Sequence, residues 1–260
     1  MIGGPEKLAA LMTRLLRLRP RPEAHHRALE VASDPKSSTE DIADAITRDI
    51  ALTAHILKVA NSAAFAQAQK VVSVKEAAGL IGSLRLKALI STAWAFQLLD
   101  ESRKAPGFDP AEECSHAVSV AMLCSQMAEH ARCSGWVAEE AFTAGLLHDL
   151  GKVLMATNAP EIYAQVSSDP LAETLPRWRV EQDLLGFDHA TVGANALEMW
   201  RMDKGIVEAV RWHHQPQFGE HDGINPLALV YLANCKVRGY KADPISTDPR
   251  YVELWASTWW

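Results

Sequence analysis

The feature that most constrains this chain is a histidine and an aspartate placed side by side in an apolar segment, AFTAGLLHDLGK at 141–152. A buried imidazole and a buried carboxylate each cost free energy unless they are bonded to a partner. On a helix, neighbouring side chains diverge by about 100°, so His148 and Asp149 can converge on one small ion but would hardly pair with each other. Both are ligands for divalent metals, and a shared metal would satisfy both groups.

The pair also has a plainer interpretation, in which Asp149 caps or hydrogen-bonds nearby backbone and His148 is a satisfied, half-buried histidine. For an isolated pair we would favour that interpretation. The balance changes because further histidines fall in helix-like segments on either side, namely His116, His189, His213 and His214. These residues make a metal-binding cluster a specific hypothesis for the second half of the chain.

Length and composition limit what such a metal would be for. With 260 residues and 48% hydrophobic content, the chain can bury one large core or two smaller ones and needs no metal or disulfide to fold. The four cysteines form no CxxC pair, which is typical of reduced thiols in a cytoplasmic protein. No signal peptide and no run of 18 apolar residues is found, so we expect a soluble, unexported protein.

The net charge of −6 gives no general attraction to nucleic acid or to an anionic membrane. Two short helices expected after Thr39 and after Asp49 have the outline of a DNA-binding helix-turn-helix. However, residues 39–61 contain four acidic residues against two basic ones, whereas phosphate contact needs several cations. We therefore expect neither nucleic acid nor a membrane as partner.

Apolar residues recur at three- and four-residue steps through most of the chain, which predicts an all-α fold. An S-x-x-E capping box at Ser73 and Glu76 marks one helix start, and Gly82 interrupts that helix before a longer one over 84–99. Only 71–74 has the pattern of an extended piece. In the second half the helices are predicted at 111–131, 137–155, 159–167, 176–185, 189–200 and 204–213.

Between residues 100 and 113 the apolar periodicity is lost and two prolines and a glycine appear, which indicates a lobe boundary. We expect an N-terminal helical lobe over 1–105, a lobe with the His/Asp cluster over 106–238 and a C-terminal tail over 239–260. The tryptophans of that tail are expected to pack against a lobe or to form a docking peptide: Trp255, Trp259 and Trp260.

Several sequence blocks resemble the HDOD (HD-related output) domains of bacterial signalling proteins, relatives of the HD and HD-GYP phosphohydrolases. In the first lobe they are ITRDIALTAHILKVANSAAF and VVSVKEAAGLIGSLRLKAL; in the second they are AFTAGLLHDLGKVLM, LLGFDHATVGANALEMW and AVRWHHQP. The resemblance implies a two-lobed, all-helical output or scaffolding module of signal transduction, generally without demonstrated catalysis. It also implies a signalling protein as partner.

Compared with the HD-GYP enzymes, six residues match metal ligands: His116, His148, Asp149, His189, His213 and His214. Lys152 matches the lysine that follows the HD pair, so Asp149 and Lys152 are the candidate catalytic residues. Two carboxylates are replaced, since Asn234 stands where the last Asp is expected and Gln215 where an HHE run has its Glu. No GYP triplet is present, which argues against cyclic di-GMP hydrolysis.

Two function classes follow, and both stay open at this point. One is a non-catalytic signalling module, and the other is a metal-dependent phosphohydrolase acting on a nucleotide or phosphoester. A site with many imidazoles and one carboxylate suits a divalent transition metal (Fe, Zn, Ni or Mn) better than magnesium, which prefers oxygen ligands. Because the lost ligands are carboxylates, we favour the signalling module.

Overall fold

The computed structural model describes residues 4–15, 23–62, 65, 69–97, 105–219, 223–240 and 249–257. The chain is all-α, as the sequence predicts. The extended piece expected at 71–74 is not found, since Val74 begins a helix and the described residues contain no strand. The helices are α1 Gly4–Leu15, α2 Glu23–Ser33, α3 Thr39–Thr47, α4 Ile50–Ala60, α5 Val74–Ile81, α6 Ser83–Gln97, α7 Pro110–His130, α8 Gly135–Leu147, α9 Leu150–Asn158, α10 Pro160–Ser167, α11 Arg177–Leu185, α12 His189–Met199, α13 Lys204–Trp212, α14 Pro226–Arg238 and α15 Pro249–Ala256.

The buried apolar side chains form two cores that share two helices. The first core is built mainly by α2 to α6, and the second by α1 and the helices from α7 onward. Five side chains of α7 and α8 nevertheless belong to the first core: Val118, Ala121, Met122, Phe142 and Leu146. These two helices therefore form the seam between the cores. The lobe boundary near residue 105 stays a prediction, and residues 100–104 of the expected connection lie outside the described part of the chain.

The C-terminal helix α15 packs on the second core. Lys236 Nζ donates hydrogen bonds to the backbone carbonyls of Trp255 and Ser257 at 2.7 Å and 3.0 Å, which ties this helix to the end of α14. Trp255 packs partly buried against the core, whereas Trp259 and Trp260 lie outside the described residues. No helix in the described ranges combines the length and the apolar character needed to cross a bilayer.

The single helix predicted over 137–155 is wrong at its centre, because the structure divides it into α8 and α9 at the His-Asp pair. Asp149 has φ −97° and ψ 11°, in the bridge region between helix and strand. The break turns the two neighbouring side chains towards each other, and His148 Nε2 lies 3.2 Å from Asp149 Oδ2. The two side chains therefore converge on one space, although the continuous helix that the prediction assumed is absent. The expectation that they would hardly pair with each other stays a prediction.

Helices α9 and α12 approach each other at a point where neither has a side chain. A Cβ on Gly151 would lie 1.8 Å from the carbonyl oxygen of His189, and a Cβ on Gly193 would lie 3.1 Å from the backbone nitrogen of Gly151. Asp149 lies just before α9, and His189 is the first residue of α12. The close approach therefore sets the separation of these two site residues.

We expect Gly151→Ala to destabilise the fold by roughly 2 kcal/mol or more, because the added methyl group collides with backbone that has no rotamer to change. Urea unfolding measures the loss. Gly79→Ala is the matched control, since Gly79 lies within α5 and a Cβ there meets nothing within 4 Å. The control should be neutral or stabilising by up to about 1 kcal/mol. Equal stability of the two variants would contradict the close helix approach.

Candidate metal centre

All six residues matched to metal ligands lie in one region of the second lobe. His116 is on α7, His148 follows the last residue of α8, Asp149 precedes α9, His189 begins α12, and His213 and His214 follow α13. Local sequence explains two of these positions. Asp188 caps α12, accepting a hydrogen bond from the Thr191 N–H at 2.8 Å, and Pro216 begins a separate 3-10 turn shortly after α13. The structure thus brings together residues up to 98 positions apart (214 − 116).

One carboxylate oxygen of Asp149 faces two cations and two imidazoles. Its Oδ2 accepts hydrogen bonds from Lys152 Nζ at 2.6 Å and from Arg238 Nη2 at 3.2 Å. The same oxygen lies 3.2 Å from His148 Nε2 and 3.6 Å from His116 Nε2. Although burial raises the pKa of Asp149, the neighbouring His148 and Lys152 hold it well below the ordinary value. The carboxylate is therefore ionised.

The other oxygen of Asp149 faces the remaining histidines. Its Oδ1 lies 3.1 Å from His189 Nε2 and 3.7 Å from His213 Nε2. His214 Nε2 lies 2.9 Å from His189 Nε2, and the His214 ring stacks on Trp178 with centroids 5.8 Å apart. The carboxylate thus stands between two groups of imidazoles, one at each oxygen.

Three of the histidines are anchored through Nδ1 to groups that only accept hydrogen bonds. The distances are 2.7 Å from His148 to the Gly145 carbonyl, 2.6 Å from His189 to Glu181 Oε2, and 2.7 Å from His213 to the Val210 carbonyl. Each Nδ1 therefore carries the hydrogen, and in the neutral ring Nε2 presents a lone pair towards Asp149. This is the orientation that metal-binding histidines have.

The pKa values of these histidines indicate which ring nitrogens near Asp149 lack a hydrogen and could bind a cation. Burial lowers the pKa of His213 to about 4, so its Nε2 has no hydrogen, and this buried atom has no hydrogen-bond partner among the described residues. Burial and the neighbouring His148 lower the pKa of His116 to about 3. For His189, burial also lowers the pKa, but the Glu181 carboxylate and the hydrogen bond with Asp149 raise it to about 9. The Nε2 lone pair of His213 thus faces the Asp149 carboxylate with no hydrogen between them, and a metal ion would satisfy both groups. His189 would have to release its Nε2 proton to bind the same ion.

The donor atoms fall into two groups that share Asp149. One group is His116, His148 and Asp149, and the other is Asp149, His189, His213 and His214. Within each group the candidate ligand atoms all lie within 4.8 Å of one another. Neutral imidazole and ionised carboxylate are both metal ligands, so these residues could hold a metal ion. Their assignment as its ligands stays a prediction.

Two charged residues that contact the cluster were missed from the sequence, Arg238 and Glu181. In sequence each has the appearance of an ordinary charged residue on a helix. A signal existed for Arg238, because it stands four positions after Asn234 and so shares its helix face. Asn234 Oδ1 lies 3.1 Å from His116 Nε2, which confirms that this face of α14 reaches the site. No comparable spacing links Glu181 to His189, since the chain turns between α11 and α12.

With this geometry established, comparison with known proteins identifies the class. The model of the HDOD domain family matches residues 18–216, so the chain belongs to the HDOD family. The resemblance seen in the sequence blocks is thereby confirmed. A Treponema pallidum protein named "Uncharacterized protein" is 24% identical over 228 residues, which cover 86% of this chain and 42% of that protein. The chain therefore spans less than half the length of this relative.

Three solved structures share the fold. An HDOD domain protein with unknown function from Geobacter sulfurreducens has a TM-score of 0.71 and 22% identity, over 97% of this chain and 89% of its own. A "Putative phosphohydrolase" from Shewanella amazonensis has a TM-score of 0.66 and 25% identity, over 88% and 80%. A "Putative signal transduction protein" from Marinobacter aquaeolei has a TM-score of 0.67 and 22% identity, over 95% and 60%.

We expect Lys152→Met to destabilise the metal-free protein by roughly 2–4 kcal/mol, because breaking a buried ion pair leaves charge uncompensated. Lys152 is buried, and of the two cations on Asp149 only Arg238 would remain. Unfolding by denaturant in the presence of a chelator measures the loss. Lys75→Met is the matched control, since Lys75 pairs with Glu40 on an exposed surface and should cost less than about 1 kcal/mol. A similar small loss in both variants would contradict the role of Lys152.

Proposed function

We propose that this protein is a bacterial, cytoplasmic signal-transduction output or scaffold module that binds a divalent transition metal without being an efficient hydrolase. The observation that carries the proposal is the burial of the centre of the cluster. His148, Asp149, His189 and His213 are exposed by 0%, 4%, 1% and 1%, and His116 and His214 are half-buried. A catalytic metal needs an open position for water and substrate, whereas a buried metal joins the helices that supply its ligands.

The charges around the cluster support the same proposal. Asn234 offers a neutral oxygen beside His116 where a carboxylate would offer charge, and Gln215 is also neutral. A metal-bound water would therefore have less carboxylate help in positioning and in proton transfer. The metal itself would supply the positive charge that the Nε2 lone pairs and the Asp149 carboxylate require. Iron, zinc, nickel and manganese suit this imidazole-rich donor set.

The signalling role rests on family kinship and not on the cluster. A signalling protein is the proposed partner, bound through a surface of the helical lobes. The name of the Marinobacter aquaeolei protein agrees with this role. A metal that fixes the relative positions of α8, α9, α12 and α13 would then stabilise the surface that the partner recognises.

A second candidate function is a metal-dependent phosphohydrolase acting on a nucleotide or phosphoester. It is favoured by the two cations beside Asp149, since Lys152 and Arg238 are both groups that phosphate oxygens can meet. The name of the Shewanella amazonensis protein points the same way. In this alternative Asp149 would act as a metal ligand and Lys152 as a contact to the substrate phosphate.

We expect protein purified without chelator to contain about one or more transition-metal ions per chain, and chelation to lower its Tm, because a ligand bound only by the folded state stabilises that state. His213→Ala should reduce the metal content, since it removes an imidazole facing Asp149. His130→Ala is the matched control, because His130 is an exposed histidine on α7 near Glu253. Absence of metal from the wild type, even after incubation with iron or zinc, would contradict the metal site.

Phosphodiesterase and nucleotidase assays on the same metal-loaded protein distinguish the two functions. We expect turnover well below about 1 per second, the lower end of ordinary enzymatic rates. The double variant Asn234→Asp with Gln215→Glu should raise metal occupancy by adding ligand charge, and with it any residual turnover. A wild-type rate of about 1 per second or more that is abolished in His148→Ala would establish the hydrolase and overturn the signalling proposal.

A further inference from the structure

A cavity of about 450 Å³ lies at the seam between the two cores, away from the metal centre. It is open to solvent and is lined by the junction of α5 and α6 on one side and by α7 and α8 on the other. Most of its lining is apolar or small, and includes Ile81, Ala88, Ala128, Ala138 and Phe142. A cavity of this size and lining is typical of small-molecule sites, which occupy roughly 300–1,000 Å³.

Arg85 brings a positive charge to this apolar space. Its Nη2 donates one hydrogen bond to Ser125 Oγ at 2.8 Å, and its guanidinium carbon lies 5.9 Å from the centre of the Phe142 ring. A guanidinium has five N–H donors, and within the described part of the chain no carboxylate forms an ion pair with Arg85. A half-buried guanidinium with unused donors in an apolar cavity attracts an anion more strongly than an exposed one does.

The remaining polar groups limit the charge of that anion. Gly82 and Ser83 line the cavity at the start of α6, where the first backbone N–H groups have no partner within the helix. Glu129 and Glu139 line it as well, and their carboxylates repel any negative charge that is not bound directly to Arg85, most strongly a polyanion. The combination selects one negative group attached to an uncharged body.

We propose that the seam cavity binds a small organic anion, a molecule with a single carboxylate, sulfonate or phosphate ester group and a compact apolar or aromatic body. Arg85 binds the anionic group, and the body packs against Ile81, Ala138 and Phe142. The proposal uses none of the metal ligands and does not rest on the function proposed above. The cavity and the metal centre share helix α8, since Phe142 lies about 9 Å along this helix from His148. A ligand in the cavity would therefore contact a helix that also positions the metal centre.

The fluorescent probe 8-anilinonaphthalene-1-sulfonate tests this proposal, because it combines one sulfonate with an aromatic body. Fluorescence titration of the wild type should show saturable binding of one probe per chain. Arg85→Met should weaken that binding roughly tenfold or more, because a charge-assisted hydrogen bond to the sulfonate is lost. Arg85→Lys should retain most of the affinity. Ala138→Phe, which keeps Arg85 and fills the cavity, should also reduce binding.

Arg14→Met is the matched control. Arg14 lines another cavity of about 410 Å³ between α1 and the α9–α10 junction, but its guanidinium is already paired with Glu161 at 3.0 Å, so the affinity for the probe should not change. Thermal melting of each variant, followed by circular dichroism, identifies variants that have lost native packing, because such variants bind the dye non-specifically. Unchanged binding in either Arg85→Met or Ala138→Phe, or an equal loss in Arg14→Met, would overturn the proposal.

Discussion

The Asp149 carboxylate has to be compensated inside an apolar lobe, and much of the second lobe is arranged around that requirement. An ionised carboxylate removed from water costs several kcal/mol unless cations and donors surround it. Lys152 and Arg238 reach one oxygen and His189 approaches the other. These partners come from α9, α14 and α12, so the charge of a single side chain fixes the relative positions of three helices. A metal ion would strengthen this same arrangement, since its ligands lie around the same carboxylate.

Helix ends, more than helix faces, make this convergence possible. The break between α8 and α9 lets two consecutive residues point into one space, which a continuous helix does not allow. His189 stands at the first position of α12, and its ring is held by Glu181 of α11. The glycine contact between α9 and α12 brings these ends within reach of each other. A side chain at a helix end is flanked by a helical turn on only one side. The Nδ1 hydrogen bonds of His148 and His189 therefore orient their rings.

The sequence was sufficient for the fold class and for the composition of the cluster, but not for its geometry. Apolar periodicity and capping signals at Ser73 and Gly82 predicted helices that the structure contains. The break at Asp149 was missed because apolar residues continue on both sides of it and no proline or glycine stands at the break itself. Glu181 was missed because a charged residue on a helix has the same local pattern whether it faces water or a buried partner, whereas Arg238 could have been found from its spacing to Asn234. Only the packing of helices distant in sequence distinguishes these two cases.

Because α7 and α8 contribute side chains to both cores, neither core is complete without them. A cut placed before α7 would remove Val118 and Phe142 from the first core, and a cut placed after α8 would remove the second core's central helices. Either fragment would expose apolar surface that water does not tolerate. We therefore expect gene fusion or recombination to transfer the two cores only together, with the seam helices between them.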